Sequence, residues 1–465
     1  MQRSTALLGL PTVRTVAATG WRYHKHGRPE KVLQYERFRI PFDRNGPQVV
    51  VKMLAAPVHR HDRNVIAGHH TPRESSPYTC ATACASTFAS TQPQLPRVAG
   101  VEGVGVVEDV GRGATVALRE GDLVWINNPA VGTWATHIVT DAENLDVVPN
   151  RADVDVEYLA SLSLFHTAYH LTNSFVNLQP NDVVLQTGAS SSVAQICQGY
   201  IRARGAKLFQ TMQLGRTEHA HLVAFYKLRG AFAVVPYNYV RTNYMRRLLS
   251  DVPPPKLLLN HTCGFYASSL LNLLGDNGVC VTYGSTSGKP MQIANMDVIA
   301  RGIQFKGFFL PNWIRRHTRE ARMRVHQNVI ESMTISQGHG IFRAQRFKMD
   351  GDSPFAFSNA WDAPLCSRKP ILRMVGEYGE WRRPRSDQAA WNIGRAVWDD
   401  LLQQMWESAG TTENPQSMKY YTPFNDIYSS FHDAKQTKEM GHRDVFFRRP
   451  NAPRHNAAEK AQTHY

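Results

Sequence analysis

The chain has 465 residues, enough for two domains and further appended segments. No apolar run reaches the roughly 18 residues that a membrane-spanning helix needs, so no such helix is expected. Six cysteines (Cys80, Cys84, Cys197, Cys263, Cys280, Cys366) are scattered. Only Cys80 and Cys84 lie close together, so no disulfide framework or metal site is expected and reduced thiols are the default.

The first stretch, MQRSTALLGLPTVRTVAATGWRYHKHG, carries Arg3, Arg14, Arg22 and Lys25 and has no acid before Glu30. Serine, threonine and small apolar residues separate the arginines. That is the signature of a mitochondrial presequence over residues 1–29, and it directs the protein to the matrix; a secretory signal would need a longer apolar core. A basic tail is the alternative reading. Next come VAGVEGVGVVEDVGRGA, GDLVWI and GTWATHIVT. Valines alternating between glycines predict short antiparallel strands of a β-rich domain, over 30–162. Within it, HHTPRESSPYTCATACASTFASTQPQLP is rich in Ser, Thr, Ala and Pro and reads as a flexible loop.

Val183 to Gln198, VVLQTGASSSVAQICQ, reads as a buried strand, a small-residue turn and an amphipathic helix. A helix N-terminus offers unpaired N–H groups and partial positive charge, so such a turn attracts phosphate. Glycines let the backbone approach closely. Gly188 is present, but Ser192 and Ala194 hold the later two places of a G-x-G-x-x-G-like spacing. The candidate cofactor contacts are Gly188, Ser190, Ser191, Ser192, Val193 and Ala194, and an ordinary strand–helix turn is the plainer alternative. Helical and strand patterns then alternate through YIRARGAKLFQTM, FAVVPYN, KLLLNHTCG and YASSLLNLLGDNGVCVTYG. Strands separated by helix-length segments predict βαβ units and a doubly wound parallel sheet over 163–341. The fold class is α/β: a β-rich domain joined to a nucleotide-binding one.

About ninety residues follow Val375. QAAWNIGRAVWDDLLQQMWES places Trp391, Trp398, Leu402 and Met405 on one helical face, a stripe that must be buried against the body or a partner. Basic runs such as NWIRRHTREARMRVHQ, EWRRPR and FFRRPNAPRH contribute, with the N-terminus, to the formal net charge of +15. Arginines interleaved with Trp and Phe suit phosphate backbones and stacked bases, or simply a solvated face. The segment 376–465 is therefore expected to bind another mitochondrial protein, with RNA or an acidic surface as further partner.

Several pieces in this order resemble the medium-chain dehydrogenase/reductase superfamily, and within it the mitochondrial 2-enoyl thioester reductases. They are GVEGVGVVEDVG, GDLVWI at Gly121, GTW at Gly132–Trp134, TAY at Thr167–Tyr169, LNHTCG at Leu259–Gly264, VTYG at Val281–Gly284, KGFFLPNW at Lys306–Trp313 and SRKPILRMV. The resemblance spans roughly Gln34 to Val375. It implies a GroES-like domain, a Rossmann-like domain, and a return to the first domain over 342–375. It also implies hydride transfer from NADPH to the β-carbon of a trans-2-enoyl-CoA or acyl-carrier-protein thioester, in fatty-acid synthesis, by a protein that is often a homodimer. In that reaction a tyrosine hydroxyl polarises the thioester carbonyl.

The chain departs from that pattern at each working position. The tyrosine closes a D-x-N-x-x-x-G-x-Y segment; here Asp62, Asn64 and Gly68 are followed by His70. An imidazole can donate a hydrogen bond, but with different reach and pKa. His70 is the first catalytic candidate, a surface histidine beside His59, His61 and His69 the alternative, and Tyr78 in the inserted loop a substitute donor. Leu164 and Phe165 replace an Asn-Pro pair. Gln213, Leu214 and Gly215 stand where arginines hold the 2′-phosphate of NADPH, with Arg216 one step beyond. Tyr283 completes the set of cofactor candidates. Two readings stay open: an NADPH-dependent enoyl thioester reductase with unusual site residues, or a non-catalytic descendant reused in a matrix complex, such as the mitochondrial ribosome, with NADPH binding weak or lost.

Overall fold

The structure, a computed structural model, describes residues 13–68, 95–126, 128, 130–148, 154–212, 226–227, 229–336, 342–350, 352–361 and 368–374. His70, Tyr78, Gln213, Arg216 and the whole of 376–465 lie outside the described residues. The described chain divides into two bodies. One contains residues up to 170, the short stretch 191–196, and 308–374; the other contains 171–190 and 197–307.

The first body begins with β1 (Val13–Tyr23) and β2 (Leu33–Asp43). They pair antiparallel along their whole length, from Val13 opposite Asp43 to Tyr23 opposite Leu33. Val16, Ala18 and Gly20 turn inward while Thr15 and Ala17 stay exposed, the period of two that a half-buried ribbon demands. β1 falls within the residues 1–29 expected as a leader. Residues 13–29 belong to the folded body, and removing everything before residue 30 would strip β2 of its partner. Gly20 passes so close to the chain that a Cβ would stand 2.3 Å from the Trp134 carbonyl oxygen.

The larger sheet of this body uses β3 (Gln48–Pro57), β5 (Val104–Val110), β6 (Leu123–Ile126), β7 (His137–Asp141) and β8 (Leu145–Val147), with β4 (Arg97–Val98) added to β1. All pair antiparallel, as the glycine-spaced valines require. The inward rows Val49, Val51, Met53, Val107, Val124, Ile126 and Ile138 form its core.

The second body is a parallel sheet of six strands: β9 (Val183–Gln186), β10 (Lys207–Met212), β11 (Ala233–Pro236), β12 (Leu257–Asn260), β13 (Val279–Thr282) and β14 (Gln304–Gly307). Their spatial order is β11-β10-β9-β12-β13-β14. VVLQ, AVVP and LLLN are buried at every residue, because helices cover both faces of a parallel sheet and leave no solvent side. The strand order reverses at β9, where the neighbours are β10 and β12. In open parallel sheets ligands bind beyond the carboxyl ends of strands at this switch point.

The chain re-enters the first body at Phe308, earlier than the expected residue 342. The long helix Arg319–Ser336 therefore belongs with the β-rich body. The strands β15 (Arg343–Lys348) and β16 (Arg368–Arg373) pair parallel with each other, and β16 closes on β3. Between them the helix Ser353–Trp361 lays Phe357 on Trp134, ring centroids 4.8 Å apart and planes nearly parallel. Trp134 is wholly buried, so burying its ring is worth several kcal/mol of apolar transfer, at about 25 cal/mol per Å².

Candidate functional site

The turn after β9 is set by two residue choices. Gly188 adopts φ +69°, the left-handed region that glycine enters without steric cost. A Cβ there would sit 3.1 Å from His261 Nδ1. Ser191 then starts the helix Ser192–Ala203, its Oγ accepting the Ala194 N–H at 3.2 Å as an N-terminal cap does. Ser190, Ser191, Ser192 and Val193 are half-buried, and Ala194 is wholly buried.

A dinucleotide site depends on backbone amides aimed at the pyrophosphate. Here the Thr187 and Ala189 amides extend the sheet, donating to the Leu259 and Thr211 carbonyls at 3.0 Å each. The Gly188 amide donates to Tyr237 Oη at 3.0 Å, and the Ala194 amide to Ser191 Oγ. Side chains at 192 and 194 further narrow the space beside these amides.

The carboxyl ends of β9, β11 and β12 are knitted by hydroxyls that sequence reasoning missed. Thr187 Oγ1 accepts the amides of His261 and Thr262, at 2.7 and 3.1 Å. Tyr237 Oη lies 2.8 Å from Thr262 Oγ1. Burial raises the Tyr237 phenol, which keeps it protonated. Tyr283 joins this group, its ring 5.3 Å from that of His261. The signal for Tyr237 was visible: it ends the apolar run FAVVPY, where a strand delivers its last side chain to the sheet edge.

In the first body, the helix Arg60–Ala67 carries the D-x-N-x-x-x-G segment and ends at Gly68, φ +76°. Asp62 Oδ2 accepts the His59 amide at 2.6 Å, and Oδ1 accepts the Val101 amide at 2.9 Å. Burial pushes the Asp62 carboxyl up to about 7, against the lowering pull of those amides and of Lys369. His59, which opens this helix, is half-buried. Its Nε2 lies 2.8 Å from Glu102 Oε2, and Lys369 Nζ is 2.9 Å from its Nδ1. Burial first, and Lys369 second, lower the His59 pKa.

Glu102 is the hub of this region. It accepts the Trp125 indole N–H at 2.9 Å, the Ser163 amide at 2.6 Å and the Ser163 hydroxyl at 2.6 Å. Trp125 in turn stacks on His166, 5.5 Å between centroids, and on His326, 5.9 Å. His166 Nε2 and His326 Nδ1 are 3.0 Å apart, so one ring donates and the other accepts and both are neutral. Burial holds His166 well below its usual value and His326 at about 4. Among the described residues no three His, Cys, Asp or Glu side chains converge as a metal site, no helix is long and apolar enough to cross a membrane, and Cys197, Cys263 and Cys280 are buried free thiols.

Comparison with known proteins decides the family. The Alcohol dehydrogenase GroES-like domain matches residues 45–150. A mitochondrial enoyl-[acyl-carrier-protein] reductase of Dictyostelium discoideum is 35% identical over 324 residues, covering 69% of this chain and 86% of that protein. The chain belongs to the mitochondrial enoyl-[acyl-carrier-protein] reductase family of the medium-chain dehydrogenase/reductases. The Bos taurus member is 32% identical over 297 residues, covering 64% of this chain and 73% of its own length. Among solved structures, the Etr1p complex with NADP and crotonyl-CoA shares the fold at TM-score 0.62 and 22% identity, covering 77% of this chain and all of that one. The mitochondrial 2-enoyl thioester reductase Etr1p/Etr2p heterodimer of Candida tropicalis aligns at TM-score 0.61, 22% identity and the same coverage.

Proposed function

We propose that this chain is a reductase-family protein of the mitochondrial matrix that keeps the fold while its cofactor cradle is altered, and that it serves as a structural or assembly subunit rather than as an efficient reductase. The observation that carries this reading is the commitment of the Gly188 and Ala194 amides to Tyr237 and Ser191. An amide that already has a good partner gains little by turning to a phosphate. His70, at the position of the family's phenol, and Gln213, at that of its first arginine, support the same reading. The test is calorimetry with NADPH and NADH on the full chain, together with turnover of crotonyl-CoA. Affinity weaker than roughly micromolar and no turnover support it, since each lost charge-assisted hydrogen bond costs a few kcal/mol; tight NADPH binding with turnover defeats it.

A second reading, an active NADPH-dependent enoyl thioester reductase, draws on the family membership and on the intact left-handed Gly188. If it holds, His70→Ala abolishes turnover and His70→Tyr preserves or raises it. As to self-association, β14 is an edge strand with Gln304, Lys306 and Gly307 exposed. Just before it Met296, Val298 and Ile299 expose 60%, 50% and 76% of their surface. A second copy of the chain paired along this edge accounts for both features, and sedimentation of Ile299→Lys against the parent tests it.

A further inference from the structure

The second body exposes an aromatic ladder that its fold does not use. Tyr266 stacks on the buried Tyr237, centroids 4.9 Å apart and planes within 14°. Phe265 stands edge-on to Tyr266 at 5.7 Å, and the Arg241 guanidinium lies over the Phe265 ring at 5.2 Å. Phe265 is 55% exposed and Tyr266 40%. Large rings on a helix facing a core are buried; these two begin the helix Gly264–Leu271 on its open side while Ala267, Leu270 and Leu271 face inward.

The exposed charges of residues 241–247 are all basic. Arg246 and Arg247 follow on the helix Asn243–Ser250, and both are exposed, as is Arg241. None of the three makes an ion pair among the described residues. The chain's excess charge lies outside its C-terminal segment. The segment after residue 374 holds twelve Lys and Arg against twelve Asp and Glu, so the whole formal +15 lies before it. The arginines named in that segment are therefore matched in number by its own acids, and the excess lies in residues 1–374.

We propose that Phe265 and Tyr266, with Arg241 and the two arginines of the following helix, form a stacking platform for unpaired bases of single-stranded RNA. Every base has a π-face, so exposed rings bind single strands with little sequence preference, and nearby guanidinium groups hold the backbone. A duplex keeps its bases stacked on one another and offers no face to these rings. A protein partner would need aliphatic surface beside the rings, whereas a guanidinium lies over Phe265. The proposal goes beyond the assembly reading and stands whether or not the chain retains reductase turnover.

The test uses the full chain and a fluorescein-labelled 12-nucleotide oligouridylate, followed by anisotropy at low and moderate salt. Binding is expected, weakening steeply as salt rises, because counterion release drives phosphate contacts. Phe265→Ala and Tyr266→Ala should each weaken it about ten-fold, and Phe265→Trp should restore it. Arg241→Ala should weaken binding and flatten the salt dependence. Phe355→Ala, an exposed ring of the first body, should change nothing. Thermal melting of each variant keeps a folding defect apart from a binding defect. The proposal is overturned if the full chain ignores the oligonucleotide, if a duplex of the same length binds as tightly, or if Phe265→Ala and Tyr266→Ala fold and bind like the parent. It is also overturned if AMP displaces the RNA at stoichiometric concentration, which would make the ladder a pocket for a single nucleotide.

Discussion

The two bodies bury polar groups of opposite kinds. The β-rich body buries ionisable ones: Asp62, Glu102, Asp146, Glu157, His166, His170 and His326 are all at most 4% exposed. The parallel-sheet body buries neutral ones: Gln186, Thr187, Gln198, Gln210, Thr211 and Asn260 are at most 1% exposed. Its low-exposure acids, Asp182 and Asp297, each hold a basic partner, Lys256 and Arg301, at 2.7 Å. Buried charges must be paired or neutralised, and they make stability depend on pH; buried amides and hydroxyls do not. The first body should therefore respond to pH and the second should not. The strongest attack on that contrast is on its hub. Glu102→Ala removes the acceptor of Trp125, Ser163 and His59 together, and should cost about 3–5 kcal/mol, as breaking a buried charged network does. Glu102→Gln, which keeps part of the network, should cost distinctly less. Chemical denaturation of both variants followed by Trp fluorescence measures the two losses, and equal losses would mean that the carboxylate's charge matters and its shape does not.

The second prediction concerns acid. The histidines His166, His170 and His326 fit as neutral rings, and burial holds His170 and His326 at about 4. Their folded pKa lies below the unfolded value near 6.5, so the unfolded chain binds more protons as pH falls between the two. Their stabilisation is present above about 6.5 and is lost on the way to 4. For His326 alone that is roughly 3 kcal/mol, at about 1.4 kcal/mol per unit. Asp62 has the opposite sign: raised to about 7, it favours the folded state below its unfolded value and loses that contribution as pH rises through 7. Three histidines outweigh one carboxyl, so acid should open the first body first. Replacing His166 and His326 together by Phe keeps the rings on Trp125 and leaves no orphaned nitrogen between them. The acid midpoint of that variant should fall by about half a unit or more. Hydrogen exchange at pH 5 that opened both bodies alike in the parent would defeat the contrast itself.

How much of this was legible beforehand differs between the bodies for the same physical reason. The parallel sheet announces itself, because VVLQ, AVVP and LLLN must be apolar throughout to be covered on both faces. The turn was found from Gly188 and the serines that follow it. The ionisable network was not found, because a lone Asp62 or Glu102 looks in sequence like any surface acid. It is burial by distant strands that changes its chemistry. A related case is the N-terminus: Arg14 and Arg22 read as presequence charges, and they also flank Val16, Ala18 and Gly20, whose alternation marks a strand. Arg14 is paired to Asp109 at 2.6 Å, a contact across 95 residues that local patterning cannot reveal. The return at Phe308 was missed because a helix gives no sign in its own sequence of which body it covers.

A smaller effect is expected at the turn. Ser191→Ala removes the cap on the helix Ser192–Ala203 and should cost about 1 kcal/mol, independent of pH. It also frees the Ala194 amide. Glycine at both Ser192 and Ala194 then clears two side chains from the cradle. If those features weaken cofactor binding, the triple variant should bind NADPH more tightly than the parent despite being less stable, and calorimetry would read the two effects with opposite signs. A triple variant with unchanged affinity would place the obstacle elsewhere and remove the turn from the argument.

The smallest effect tests the neutral half of the contrast. Gln210 Nε2 donates to Gln186 Oε1 at 3.0 Å between adjacent strands β10 and β9, with both side chains wholly buried. Changing one of them to Leu strands the other amide in an apolar layer and should cost about 1–3 kcal/mol. Changing both removes donor and acceptor together and adds apolar surface of similar volume, so the double variant should lie within about 1 kcal/mol of the parent. Neither change introduces or removes a titrating group, so the stability of all three variants should run parallel to the parent's from pH 5 to pH 8. A double variant as unstable as the sum of the singles would show that the pair orders β9 and β10 in a way apolar packing cannot replace. The sheet beneath Gly188 would then depend on a specific polar contact, as the first body depends on Glu102, and the difference between the bodies would be one of charge alone.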